Sequence, residues 1–293
     1  MTNIDKLIFS FHITQFETIQ NALENDSNNN DFDFDDYIAL QGAYHQFGRT
    51  KLQCVDLKDI KTHFRENHWV YVDNKKIGIL HWGSYGTSKN YGYLTFSNQT
   101  FYNGDWVLYK QALQDLSLTI HNISRLDIAF DSTINPTKRY MKIVRDKENE
   151  IVINGIRIRD RRAMLNSPYF LTHGCLEEPL ECPQIHFSTS DKSTLCRTYN
   201  KSEEVATHSH KTYITDLFES KEKCLDSNIY RCEISMNSKI LSRIVGDDIG
   251  RFLEKLEDEY YLLALHRDSM MRLFRYSKGG GKRKTLLSYY IRH

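Results

Sequence analysis

Three short segments set chemically complementary side chains in alternation. They read Arg125-Leu126-Asp127-Ile128-Ala129-Phe130-Asp131, Arg197-Thr198-Tyr199-Asn200-Lys201 and Arg231-Cys232-Glu233-Ile234-Ser235-Met236. In extended backbone, alternate residues share a face. Arg125, Asp127 and Asp131 then lie together on the first strand. Arg197, Tyr199 and Lys201 lie together on the second, and Arg231 and Glu233 on the third. The opposite faces of the first and third are apolar. If the strands are neighbours, carboxylates, a phenol and cations converge. That set suits a metal-assisted phosphodiester transesterification with a tyrosine nucleophile.

An ordinary phenol has a pKa near 10, so only about one in a thousand is ionised at neutral pH. Flanking cations at Arg197 and Lys201 are expected to favour the phenolate. A divalent cation on the phosphate would add a larger Lewis-acid effect and calls for carboxylate ligands. Asp127, Asp131 and Glu233 are the candidates, because each is a charge among apolar strand neighbours, a costly place for an unpaired carboxylate. The ordinary alternative is a half-exposed sheet on which Asp127 pairs with Arg231 and Tyr199 is a surface aromatic.

Those strands need a scaffold, and 293 residues with 40% hydrophobic side chains can build a substantial core. The formal net charge of +1 gives no whole-chain case for a polyanion. Charge distribution does more: residues 26 to 36 are acidic and residues 272 to 292 basic. The 18 tyrosines and 15 phenylalanines suit β structure and surfaces that stack bases. The 6 cysteines show no metal-ligand spacing and read as reduced thiols. Asn3, Asp5 and Lys6 interrupt any signal-peptide apolar run, and no run reaches membrane-spanning length. A cytoplasmic protein with no membrane partner is expected.

Patterning places strands at Lys6 to Ile13, Trp69 to Val72, Lys76 to Trp82 and Tyr91 to Ser97, with an Asp73-Asn74 turn. Helices are expected at Gln15 to Glu24, Asp105 to Leu116 and Pro136 to Arg145, with one long helix from Asp247 to Phe274. Asn154-Gly155 marks a hairpin. Further strands fall at Ile185 to Ser188, Leu195 to Lys201 and Ile229 to Met236. The order predicts an α+β fold: a large curved antiparallel sheet with helices packed on one face and an open polar face. One catalytic domain is expected over about residues 1–276, divisible near residue 118, with a basic tail from Ser277. The acidic stretch from Asp26 to Asp36 has the outline of a calcium loop. It lacks the turn glycine at Asp31 and has Tyr37 where a bidentate Glu belongs.

The three segments, in order, resemble motifs of the trans-acting Rep family of rolling-circle replication initiators, which includes related phage replication proteins and conjugative relaxases. That family carries R-L-D-x-A-x-D, similar to Arg125 to Asp131. It carries a Ser-containing segment running into R-x-Y-x-K, similar to Phe187 through Lys201. Its W-R-x-E-I is similar to Tyr230-Arg231-Cys232-Glu233-Ile234, with Tyr in place of Trp. Leu94 to Asn98 matches the strand and Asn that precede these motifs. The resemblance covers residues 91 to 240. The glycine before the Ser turn is replaced by Ser188 or Thr189, and no helix-turn-helix is apparent.

The resemblance implies a rolling-circle initiator that nicks and rejoins origin DNA, leaving a 5′-phosphotyrosine and a free 3′-OH. Tyr199 would be the nucleophile, with Arg197 and Lys201 beside it. Asp127 and Glu233 would bind Mg2+ or Mn2+, and Asp131 would either join them or orient Arg125 or Lys201. Arg197, Lys201 and Arg231 would hold phosphates, Arg125 would also contact DNA, and Ser190 and Ser193 would hold the bound strand. Partners implied are single-stranded or cruciform origin DNA of a plasmid or phage, a host helicase and polymerase, and a second copy of the chain. With Thr198 beside the nucleophile, resealing would fall to Tyr230, a second subunit or water.

Two other readings remain open at this level: a conjugative relaxase of the same family and a non-catalytic DNA-binding protein. The basic run Lys282-Arg283-Lys284, with Tyr289 and Tyr290 beyond it, suits phosphate contact and base stacking. His208-Ser209-His210 has the spacing of a histidine metal pair, but Ser209 replaces the apolar anchor and the surroundings are polar.

Overall fold

The computed structural model describes residues 1–28, 44–55, 64–84, 89–159, 170–173, 184–222 and 228–285. The acidic stretch beyond residue 28, Cys175, Cys182, Cys224, Tyr289 and Tyr290 lie outside the described residues. The fold is α+β, built on a large antiparallel sheet with helices. The chain forms two compact units, one of Met1–Asp5 with Leu126–His293 and one of Lys6–Arg125. Among the described residues no helix is long and apolar enough to cross a membrane.

In the unit Lys6–Arg125, β1 (Thr2–His12) contributes its second half. It is followed in the sheet by β6 (Tyr91–Phe96), β5 (Lys75–Ser84), β4 (Phe64–Val72), β3 (Thr50–Cys54) and β2 (Tyr44–Phe47). Alternation sends Leu7, Phe9 and Phe11 of β1 and Leu94 and Phe96 of β6 into the core, all at most 4% exposed. Phe16 stacks on Trp82 at 5.0 Å between ring centroids. The Phe16 ring lies so close to Gly92 that a Cβ there would collide with it, which is why β6 carries glycine at that position. Asp73 and Asn74 take φ of 49° and 65°, the left-handed pair of a tight hairpin between β4 and β5. The helix expected from Asp105 to Leu116 divides. Asp105–Leu108 is a 3-10 turn, and α3 (Tyr109–Asp115) follows α1 (Glu17–Asn28) and α2 (Asn98–Tyr102).

In the other unit the strand order is β10 (Phe170–His173), β11 (Gln184–Ser188), β12 (Thr194–Asn200), β13 (Tyr230–Asn237), β7 (Asn122–Ser132) and the first residues of β1. A small second sheet joins β14 (Phe274–Lys278) to the hairpin β8 (Asn149–Ile153) and β9 (Ile156–Ile158). Its turn is Asn154-Gly155, with φ of 50° and 81°. Helix α4 (Pro136–Arg145) has proline at its first turn and Asn135 as its cap. The long helix expected over residues 247 to 274 is instead a series. α7 (Ser238–Val245), α8 (Ile249–Lys255) and α9 (Glu259–Leu273) are each opened by a capping Asn or Asp, and Phe274 begins β14. An apolar stripe persists across the caps, so periodicity alone reads as one helix. Asp248 and Asp258 accept from backbone N–H groups two or three residues on and restart the chain.

β12 and β13 pair antiparallel with Arg197 opposite Glu233 and Tyr199 opposite Arg231. On the far side of the same strands, Cys232, Ile234 and Met236 are at most 1% exposed. Helices α4 and α9 pack there: Thr137 Oγ1 lies 3.3 Å from Thr198 Oγ1, and His266 Nε2 lies 2.9 Å from the Cys232 carbonyl. Burying one face of β13 this way turns Arg231 and Glu233 to the other. Truncating Ile234 to Ala therefore opens a core cavity and is expected to cost about 2–5 kcal/mol. Truncating its neighbour Ser235 should cost well under about 1 kcal/mol. Urea midpoints of the two variants check the alternation.

Candidate active site

The charged face of β12, β13 and β7 is organised around Arg231, which is 0% exposed. Its guanidinium donates Nε to Asp131 Oδ1 at 2.7 Å and Nη2 to Asp131 Oδ2 at 2.8 Å. Nη1 donates to Asp5 Oδ1 at 2.5 Å. This is the fork geometry that only arginine offers to a carboxylate. Asp131 therefore has both oxygens engaged by Arg231. Asp5 is the residue that sequence reasoning missed. Its signal in the sequence is faint, a single carboxylate between Ile4 and Lys6 far from the three motifs.

Beside this clamp stand Tyr199 and Glu233. The Tyr199 hydroxyl donates to Glu233 Oε2 at 3.3 Å, while Arg197 Nη2 donates to Glu233 Oε1. Glu233 is 2% exposed, whereas the Arg197 side chain keeps 38% exposure. Arg197 thus reaches from solvent to a buried carboxylate. Burial raises the Glu233 pKa, the nearby charges of Asp5 and Asp127 raise it further, and Arg197 pulls it down. Asp127, 2% exposed, belongs to the same field.

Lys201 does not continue β12 as its alternation suggested. Asn200 caps a short helix, α5 (Lys201–Glu204), by accepting from the Glu203 N–H at 3.2 Å. Lys201 is buried at the first position of that helix. Its Nζ lies 2.6 Å from Glu204 Oε2 and 5.9 Å from the centre of the Tyr199 ring. The phenolate-favouring field expected from Arg197 and Lys201 is not what the site provides. Burial raises the Tyr199 pKa well above that of a free phenol. Arg231 works against that, but Glu233, Asp5 and Glu204 add to it. Arg197 and Lys201 are already engaged by Glu233 and Glu204. The phenol is held protonated.

A second tyrosine feels the same charges. A π-helical turn at Val205–Ser209 leads into α6 (Thr212–Glu222), where Ile214 and Phe218 are buried. Tyr213, one residue before Ile214, has its pKa pushed up to about 12, by burial first and then by Asp5, with Arg231 opposing and Glu204 adding. His208 lies in the π-helical turn and His210 closes it with φ of 53°. Among the described residues no group of three or more His, Cys, Asp or Glu is arranged to hold a metal ion, this pair included.

The serine turn joins β11 to β12 at the other end of the strand. Ser190 is exposed, while Ser193 is 6% exposed and lies 3.3 Å from Thr189 Oγ1 within the turn. Five strand steps separate Thr194 from Tyr199, about 17 Å. The structure does not bring the serines to the phenol. Lys282 and Arg283 are exposed beyond the Gly279–Gly281 turn, and Lys284 returns to pair its backbone with Tyr276 at 2.7 and 2.8 Å. Lys284 lines a groove of about 750 Å³ with Lys138, Arg139, Lys142 and Lys278, apart from the phenol. Arg125 falls in the unit Lys6–Arg125.

No family model matches the chain. No curated protein matches it either. Among solved structures, it is similar to one described as the rolling circle replication initiator protein from Geobacillus stearothermophilus. The two share 12% identity over 92% of this chain and 96% of that one, with a TM-score of 0.39. Likeness of that degree carries no argument about function, so the reading below rests on the charged face and the motifs.

Two outcomes follow from the site. Replacing Arg231 with Ala takes the guanidinium away from buried Asp131 and from partly exposed Asp5. The expected cost is about 3–5 kcal/mol, read from denaturant midpoints. The raised pKa of Glu233 means the folded chain holds a proton that the unfolded chain, with a carboxyl near 4.3, releases earlier. That contribution is fully present below the unfolded value and is lost as pH rises through the folded one. Glu233→Gln should flatten this decline, and comparing the melting temperatures of both chains between pH 4 and pH 8 checks it.

Proposed function

We propose that the chain is a rolling-circle replication initiator that nicks and rejoins origin DNA through Tyr199. The observation that carries this reading is a half-buried phenol donating to a buried glutamate, on a strand face where Arg197 bridges that glutamate to solvent. The order of the three motifs along the chain supports the same reaction.

Magnesium is commonly held by one or two carboxylates, with waters and substrate phosphates completing its shell, so no three-residue cage is needed. Asp127 and Glu233 fit that demand: both are buried, and the charge of Asp127 adds to the burden on Glu233, which a divalent cation would relieve. Mg2+ or Mn2+ bound there would supply Lewis-acid polarisation of the scissile phosphate. Asp131 is committed to Arg231 and serves the scaffold. Arg197, half-exposed, is the cation placed to meet a non-bridging oxygen of the incoming strand.

Tyr199 keeps its proton until substrate arrives, because burial and three carboxylates disfavour the phenolate. Glu233 Oε2 is the acceptor in place to take that proton. As the Tyr199 Oη–P bond forms, the P–O3′ bond breaks and the departing 3′ oxygen takes up one proton. The step is neutral in protons and leaves a 5′-phosphotyrosine and a 3′-OH able to prime synthesis. Reversal with another 3′-OH rejoins the strand. Partners in this reading are single-stranded or cruciform origin DNA, with a polymerase and helicase acting on the product and a second copy of the chain a candidate for resealing.

The test uses a 3′-labelled single-stranded origin oligonucleotide with magnesium, analysed under denaturing conditions, because the fragment held by the tyrosine is the one that carries the 3′ end. A covalent band is expected for the natural chain, none for Tyr199→Phe, and a loss of at least about a hundredfold in rate for Glu233→Gln. DNA binding without any covalent band in the natural chain would instead make this a non-catalytic DNA-binding protein.

A further inference from the structure

The unit Lys6–Arg125 carries a second sheet face that the nicking reaction leaves unused. One side of β3 to β6 is covered by the 3-10 turns at Ile13–Phe16 and Asp105–Leu108 and by α3, over buried Leu80, Trp82, Leu94 and Phe96. The other side is half-exposed and aromatic. Strand register places His12 opposite Tyr91 and His81 opposite Tyr93 on that side, and Trp69 beside Ile79.

These rings form clusters on neighbouring strands. His12 lies 4.1 Å from His121, and Tyr91 stacks on His121 at 5.4 Å with planes 21° apart. Phe64 stacks on His81 at 5.3 Å, 26° apart, and meets Tyr93 at 5.7 Å. Tyr44, 52% exposed, meets Tyr71 edge-on at 5.7 Å. Two lysines sit among them: Lys76 Nζ lies 2.9 Å from the Trp69 ring centre, and Lys51 Nζ lies 5.6 Å from that of Tyr44.

Charge selects the ligand. Among the described residues, no position on this side of β1 to β6 in the paired register is Asp or Glu. Yet the chain has 38 acidic residues. A face of flat rings with lysines and no carboxylate matches a flexible polyanion with exposed π surfaces. Bases of a duplex are already stacked on each other, whereas those of a single strand are free to stack on protein. Six strands at about 4.8 Å span about 24 Å, enough for several nucleotides.

We propose that this aromatic face is a platform for single-stranded DNA, on which bases stack while Lys51 and Lys76 meet phosphates. The choice of DNA as ligand rests on the nicking function proposed above, and the platform adds to it a binding site remote in sequence from Tyr199.

The test is equilibrium binding by the full chain, with magnesium chelated so that no chemistry is required. The probe is a labelled single-stranded oligonucleotide of about twelve nucleotides, with its duplex as control. Trp82 and Trp106 are buried, so Trp69 is the tryptophan placed to report stacking by a change in emission. Saturating single strand should quench that signal, and Trp69→Phe should abolish the change. Tyr91→Leu and Tyr93→Leu, which keep bulk but lose the ring, should each weaken binding about tenfold with unchanged melting temperature. Unchanged affinity in both leucine variants, equal binding of duplex, or burial of this face by a second copy in sedimentation would overturn the proposal. None of these results depends on the covalent band at Tyr199, so each reading can fail without the other.

Discussion

The fully buried guanidinium of Arg231 organises the charged half of this protein. Arg231 has no contact with solvent and hydrogen-bonds Asp131 on β7 and Asp5 on β1. A guanidinium cannot shed its proton to escape burial, so the fold must supply its counter-charges. Two carboxylates on two further strands do so, and their geometry fixes the lateral spacing and register of β13, β7 and β1. A buried ion pair of this kind is weak evidence for stability, since apolar packing does as well. What it does here is tie β13 to β7 and β1 by hydrogen bonds, beside Tyr199 and Glu233.

The environment of Tyr199 is a consequence of that arrangement. Glu233 lies one strand step pair from Arg231 on the same face, and Tyr199 is the cross-strand partner of Arg231. The clamp leaves a surplus of carboxylate: Asp5, Asp127, Glu233 and Glu204 all act on the titrating groups of this face. The surplus keeps the phenol protonated and raises the proton affinity of Glu233. The resting site is therefore poised by negative charge, not activated by positive charge.

The two units treat the same architectural problem differently. Each packs helices against one side of antiparallel strands and must do something with the other. In the unit containing Tyr199, that other side is charged, partly buried and tied together by hydrogen bonds among its charged groups. In the unit Lys6–Arg125 it is aromatic, with no Asp or Glu at the paired positions of that side among the described residues. Both choices avoid a bare apolar sheet surface, which would invite aggregation.

Local chemistry was readable wherever a few neighbouring residues settle it. The turns at Asp73-Asn74 and Asn154-Gly155 are set by residues that tolerate a left-handed backbone, and α4 by its proline and its asparagine cap. Alternation in the three motifs put Tyr199, Arg197 and Glu233 on one face, where they meet. Lys201 escaped this logic because Asn200 caps a helix, and capping is decided by the backbone beyond the motif. The caps inside the C-terminal helical region escaped because an apolar stripe has the same period in one helix or three. Which carboxylate neutralises Arg231, and whether the phenol is activated or held protonated, were settled only in three dimensions. Asp5 and Arg231 stand 226 residues apart. Electrostatic fields in a buried site depend on distance through space, which a linear order of residues does not contain.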